Sequence, residues 1–189
     1  MDGARFAWLV AELPPVTLSE ADTIRAGELR GERGQQFFRG RAALAAALGE
    51  AAGGVLEASP ARCPDCGRRH GGPELAEGRF ASVSHAGDGS LAAVADVPVG
   101  VDVEERGAAA DIRPAMRLPP GEDDALQHWT RVEAVLKADG RGLRIDPAAV
   151  EFSRLPTGGL RARVPGGAEF DVQDLAVPGD YVAAIAVRV

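Results

Sequence analysis

Cysteine is scarce in this chain, with two in 189 residues, too few for a disulfide framework. No apolar run is long enough to span a membrane. No run of Lys or Arg marks a nucleic-acid surface. Residues 1–12 include acidic side chains and lack a small-residue cleavage site behind a long apolar core. They read as a first strand rather than a signal peptide, and the cytoplasm is the expected compartment.

What remains is an ordinary globular composition, 46% hydrophobic and 26% charged, long enough for one compact domain or two small lobes with a real core. The net charge of -7 argues against general nucleic-acid binding and means that an anionic ligand needs a locally basic pocket.

The most informative stretch is Val99-Gly100-Val101-Asp102-Val103-Glu104-Glu105. Its period-two alternation predicts a strand with Val99, Val101 and Val103 in the core and Gly100, Asp102 and Glu104 on the other face. Asp102 and Glu104 then sit roughly 7 Å apart on one face. Two neighbouring like charges repel unless a cation lies between them. Alone, such a pair is either a solvated strand end or half of a metal site.

In chain order, residues 5–11 predict a strand ended by Pro14-Pro15, and Ser19-Glu20-Ala21-Asp22 resembles a capping box opening a helix towards Leu29. Arg30, Arg33, Arg39 and Arg41 form the densest positive charge in the chain. An Ala-rich helix is predicted over 35–52, closed by Gly53-Gly54. Cys63-Pro64-Asp65-Cys66 with His70 offers three zinc-type ligands and lacks a fourth, and no helix follows to activate a thiol. That segment reads as a loop ordered by turn residues. Ala81-Ser82-Val83-Ser84 predicts a short strand, His85-Ala86-Gly87-Asp88-Gly89 a turn, and 91–97 the returning strand. Ser84 and His85 are adjacent in a strand, so they point to opposite faces and do not make a hydrolase pair; a hydroxyl, an imidazole and free N–H groups suit a phosphate better.

Residues 105–121 read as a loop containing Pro114, Pro119 and Pro120, followed by a helix over 122–139. Ala125, Trp129, Val132 and Leu136 form its expected buried stripe, and Gly140 and Gly142 end it. Glu133 and Lys137, four apart, share a face beside that stripe. The remainder predicts strands over 149–153, 160–164, 169–177 and 181–187.

The two halves look alike. Phe37, Arg39, Ala42 and Leu44 match Trp129, Arg131, Ala134 and Leu136 at an offset of 92, as Gly87-Asp88 matches Gly179-Asp180. Ala92-Ala93-Val94-Ala95 matches Ala183-Ala184-Ile185-Ala186 one residue out of register. The expected fold is α+β in two similar lobes, 1–97 and 98–189, each a long helix on a small antiparallel sheet. Asp102 and Glu104 are expected to face a ligand cleft between them.

Three stretches carry a family resemblance: Ser82-Val83-Ser84-His85-Ala86-Gly87 with Gly100-Val101-Asp102-Val103-Glu104; Trp129-Thr130-Arg131-Val132-Glu133-Ala134-Val135-Leu136-Lys137-Ala138-Asp139-Gly140; and Phe37-Phe38-Arg39-Gly40-Arg41 with Leu44. Together they resemble the 4′-phosphopantetheinyl transferase superfamily in its two-lobed, surfactin-synthetase-activator form. The resemblance implies transfer of the phosphopantetheine arm of coenzyme A to a serine of an apo acyl or peptidyl carrier protein, as in secondary-metabolite biosynthesis, with release of adenosine 3′,5′-bisphosphate. It implies Mg²⁺ held by Asp102, Glu104 and Glu133, with Glu133 as base and Lys137 neutralising a phosphate oxygen. It places coenzyme A on Arg30, Arg33, Arg41, Ser84, His85, Asp102 and Lys137. A monomer, a pseudo-dimer of its own lobes, is expected, with no membrane or nucleic-acid partner. Two departures stand out: Gly71-Gly72-Pro73 where the family commonly has Gly-Lys-Pro, with Arg68 or Arg69 as substitutes, and Val132 where it often has a basic residue. Two other readings are a relative that binds coenzyme A or a carrier without turnover, and a zinc-loop interaction module built on Cys63, Cys66 and His70.

Overall fold

Two antiparallel five-stranded sheets with identical strand order build the protein, as seen in a computed structural model that describes residues 4–10, 14–49, 55–63, 65–76, 78–107, 118, 124–156 and 158–189. The first sheet contains β1 (Arg5–Val10), β4 (Ala58–Arg62), β5 (Arg69–Leu75), β6 (Phe80–Ala86) and β7 (Gly89–Ala95), ordered β1-β7-β6-β5-β4. The second contains β8 (Val99–Glu105), β9 (Glu151–Arg154), β10 (Leu160–Arg163), β11 (Glu169–Leu175) and β12 (Tyr181–Arg188), ordered β8-β12-β11-β10-β9. A parallel bridge joins β2 (Thr17–Leu18) to β3 (Val55–Leu56). The helices are α1 (Glu20–Glu28), α2 (Glu32–Leu48) and α3 (Ala125–Asp139). The architecture is α+β, and no helix among the described residues is long and apolar enough to cross a membrane.

Apolar residues fill three layers. Leu44, Leu56, Ala92 and Val94 lie between α2 and the first sheet. Val132, Leu136, Phe170, Ala184 and Ala186 lie between α3 and the second. Leu91, Ala93, Val99, Val101, Val103, Ala183 and Ile185 lie between the sheets. β7 and β12 are thus buried on both faces, which is why they read as unbroken runs of small apolar residues. Ala92 and Val94 face α2 as Ala184 and Ala186 face α3. The repeat therefore runs in register at 92 here too. The one-residue slip suggested by the matching alanines would turn every side chain to the wrong layer.

The caps explain the helix ends. Ser19 accepts from the Asp22 N–H to open α1, and Asp124 accepts from the Gln127 N–H to open α3. α2 starts three residues before the expected 35 and ends at Gly49, not Gly53-Gly54: Gly49 adopts φ 77 and returns its N–H to Ala45 and Ala46. Gly53-Gly54, residues 1–3 and 11–13 of the N-terminal stretch, Pro64, Pro114, Pro119, Pro120 and Glu122 lie outside the described residues.

The cysteine segment forms a turn. It is the tip of the β4–β5 hairpin, closed by the Cys63 N–H on the Arg68 carbonyl and the Gly67 N–H on the Cys63 carbonyl. Pro60 and Pro73 stand opposite each other there, and the register breaks between Pro60 and Arg62. β4 is an edge strand, where proline is tolerated.

Candidate active site

Asp102 is where both sheets and α3 meet. β8 is the outer strand of the second sheet, and its unpaired side lies against β6: the Val101 N–H donates to Ser82 Oγ at 3.0 Å. Ser82 thereby satisfies an edge N–H that would otherwise need another strand. Two residues on, Ser84 Oγ donates to Asp102 Oδ1 at 2.8 Å. Lys137 Nζ reaches the same oxygen at 2.6 Å and Ser84 Oγ at 3.0 Å. α3 comes this close because position 100 is glycine. A Cβ there would lie 2.0 Å from the Ala134 carbonyl oxygen and 2.5 Å from the Ala138 nitrogen. Asp102 faces α3 at the seam between β6 and β8, because the valines of the same strand fill the space between the sheets.

Asp102 is buried, and its Oδ2 has no hydrogen-bond partner among the described residues. A buried carboxylate oxygen without a donor carries a desolvation penalty of about 1–3 kcal/mol or more, so this atom is suited to a cation. Burial raises the carboxyls of Glu104 and Glu133 above the usual range, and the negative charge of Asp102 raises both further. Lys137 opposes the shift at each, and a hydrogen bond from Trp129 opposes it at Glu104. Three carboxylates therefore share one electrostatic environment around a single ammonium. They are not closed into a cage: among the described residues, no three His, Cys, Asp or Glu side chains are spaced to hold a metal. The donor set nonetheless fits Mg²⁺, which takes one or two carboxylates and completes its octahedron with water and phosphate oxygens.

On the other face of β6, His85 lines a groove of about 430 Å³ against α2 with Arg25, Arg33, Phe37, Arg41, Gly72 and Pro73. Gly40 makes room for it, since a Cβ would stand 2.6 Å from His85 Cε1. His85 Nδ1 meets Ser90 Oγ at 2.8 Å. Burial, then the charges of Lys137, Arg41 and Arg39, lower its pKa to about 4, so the imidazole is neutral at neutral pH.

The four clustered arginines separate. Arg33 and Arg41 line the groove. Arg30 is not among its lining residues and donates to the Gly27 and Leu29 carbonyls. Arg39 pairs with Asp88 at 2.9 Å. Arg41 is buried and gives Nε and Nη2 to Asp22 at 2.6 and 2.8 Å. Arg68 and Arg69 line a neighbouring groove beside α1, which shares Arg25 with the first. Val132 is in the core of the second lobe.

Sequence reasoning missed Asp22, read only as part of a capping box, as well as the support given by Ser82 and the hydrogen bond of Trp129 to Glu104. It also passed over a signal in the composition. Lys137 is the only lysine among 21 basic residues; arginine serves everywhere else, and a compact ammonium is kept at Asp102.

Residues 98–186, from just before β8 through most of β12, match the family model of the 4′-phosphopantetheinyl transferase superfamily. No curated protein matches the chain.

Proposed function

We propose that this protein transfers the 4′-phosphopantetheine arm of coenzyme A to a serine of an apo acyl or peptidyl carrier protein. It would act as a monomer of the surfactin-synthetase-activator type, with lobes 1–97 and 98–189. The observation that carries this reading is the Asp102–Ser84–Lys137 cluster, on the opposite side of β6 from a basic groove, with Asp102 and Lys137 inside the stretch that matches the family and Ser84 reaching them from β6.

In this reading Arg33, Arg41 and His85 receive the 3′-phosphate of coenzyme A, and Ser84 lies at the edge of the pyrophosphate site. Lys137, held by Asp102 in the free protein, turns its remaining N–H groups to a phosphate oxygen as charge moves to the leaving group. Asp102, through its unpartnered Oδ2, with Glu104 and Glu133 would hold Mg²⁺. The ion, when bound, neutralises pyrophosphate oxygens. Glu133, made more basic by burial and by Asp102, takes the proton of the carrier serine, directly or through a water. The serine oxygen bonds to the phosphorus that carries pantetheine, the pyrophosphate P–O bond breaks, and adenosine 3′,5′-bisphosphate leaves.

The test is to incubate the protein with coenzyme A, Mg²⁺ and apo carriers from fatty-acid, polyketide and peptide systems, then weigh the carriers. A carrier that gains the phosphopantetheine mass supports the reading. No gain across all classes, with folded enzyme, overturns it.

A further inference from the structure

We infer that Asp22 is a positioning residue for anion recognition: it sets Arg41 so that the free edge of the guanidinium reads the phosphate monoester of the ligand. The inference rests on the function proposed above and adds a residue that does not touch the ligand.

Asp22 is fully buried and Arg41 nearly so. Their contact is bidentate, Nε to Oδ2 and Nη2 to Oδ1, and the Phe37 ring covers one guanidinium face with its centroid 4.6 Å from Cζ. The pair bridges α1 to α2, 19 residues apart. A buried ion pair adds little stability over a well-packed apolar pair, so its value lies in fixing geometry. Two of the three guanidinium nitrogens, along one edge, are thereby committed. Nη1 makes no hydrogen bond among the described residues, and Arg41 lines the groove that holds His85. Of the other arginines on that groove, Arg33 is exposed and Arg25 is tied to exposed Glu28. Arg41 is thus the guanidinium there whose orientation is set before a ligand arrives, and a preset fork loses less entropy on binding a tetrahedral anion than a free one. Because Asp22 cancels the charge of Arg41, the recognition is geometric and not a general attraction for anions.

The test measures binding of coenzyme A and of 3′-dephospho-coenzyme A to the whole chain by calorimetry. The wild type is expected to prefer coenzyme A by roughly tenfold or more, the scale of a charge-assisted hydrogen bond. Asp22→Asn points an amide N–H at the guanidinium and should remove most of that preference, with affinity for the dephospho ligand held within about twofold, since no ligand contact is lost there. Arg41→Lys keeps the charge, loses the fork and should do the same, and the double variant should lose no more than either alone. In the wild type, the Arg41 side-chain NMR signals should move with coenzyme A and not with the dephospho form. Preference retained in folded Asp22→Asn, or equal weakening for both ligands, overturns the inference. If Asp22→Asn does not fold, preference retained in Arg41→Lys overturns it. A wild type that binds neither ligand overturns the transferase reading as well, whereas a wild type that binds coenzyme A with no preference overturns this inference alone.

Discussion

The two lobes share a plan and differ at the few positions that face the helix. β1 pairs with β7 as β8 pairs with β12, and the registers place Ala7 opposite Ala92 and Asp102 opposite Ala184. Leu9 and Glu104 correspond in the same way, opposite Ser90 and Val182. On the helices, Ala45 stands where Lys137 does and Arg41 where Glu133 does, 92 residues apart. In the first lobe Ala7, Leu9 and Ala45 pack into an apolar layer. In the second, Asp102, Glu104 and Lys137 make a polar cluster on the same scaffold. A strand and helix that already pack closely therefore need only a few substitutions to become a charged site. The polar version survives because α3 is seated by Gly100 and because Lys137 sits among the carboxylates.

Exchanging residues between equivalent positions tests this most directly. Asp102→Ala, which gives β8 the residue of β1, should lower turnover by about 100- to 10,000-fold, as should Glu133→Ala. Asp102→Ala should leave the melting temperature nearly unchanged, because Lys137 is 30% exposed and keeps its contact with water. Carrier-mass kinetics and calorimetry separate the two effects. The reverse exchange, Ala7→Asp, places a charge among Leu9, Leu44 and Val94 with no cation of its own. It should cost about 1–3 kcal/mol in denaturant unfolding.

The glycines that seat the helices differ in the same manner. Gly100→Ala drives a Cβ into α3 backbone, whereas Gly40→Ala meets the side chains of His85 and Val83. The first should destabilise by about 3 kcal/mol and the second by about 1 kcal/mol, since side chains can yield and a packed helix cannot.

The remaining expected effect is on pH dependence. His85 has its pKa lowered from 6.5 to about 4 by burial and neighbouring cations. Between those values the unfolded chain binds the extra proton, so stability rises with pH through this window and is lost as pH falls towards 4. His85→Gln should flatten that part of the melting-temperature profile. An unchanged slope would show that the imidazole is not the group that titrates there.

Much of this was legible in the residues. Alternation at 99–105 assigned the faces of β8, a capping box located the start of α1, an apolar stripe ended by Gly140 located α3, and the offset of 92 announced the repeated topology. β4 and β5 were not, because Pro60, Gly72 and Pro73 are punctuation in any local reading, and their pairing depends on an edge position that only the assembled sheet defines. Asp22 was hidden for a related reason. Its backbone N–H fulfils the local signal at Ser19 while its carboxylate answers Arg41 on another helix. Long-range partners leave no periodicity to read.

With a single lysine in the sequence, the protein has one ε-amine, and that amine lies 2.6 Å from Asp102. Isotopically labelled lysine therefore places one spectroscopic reporter in the protein, at the candidate active site, with no second lysine signal to separate from it.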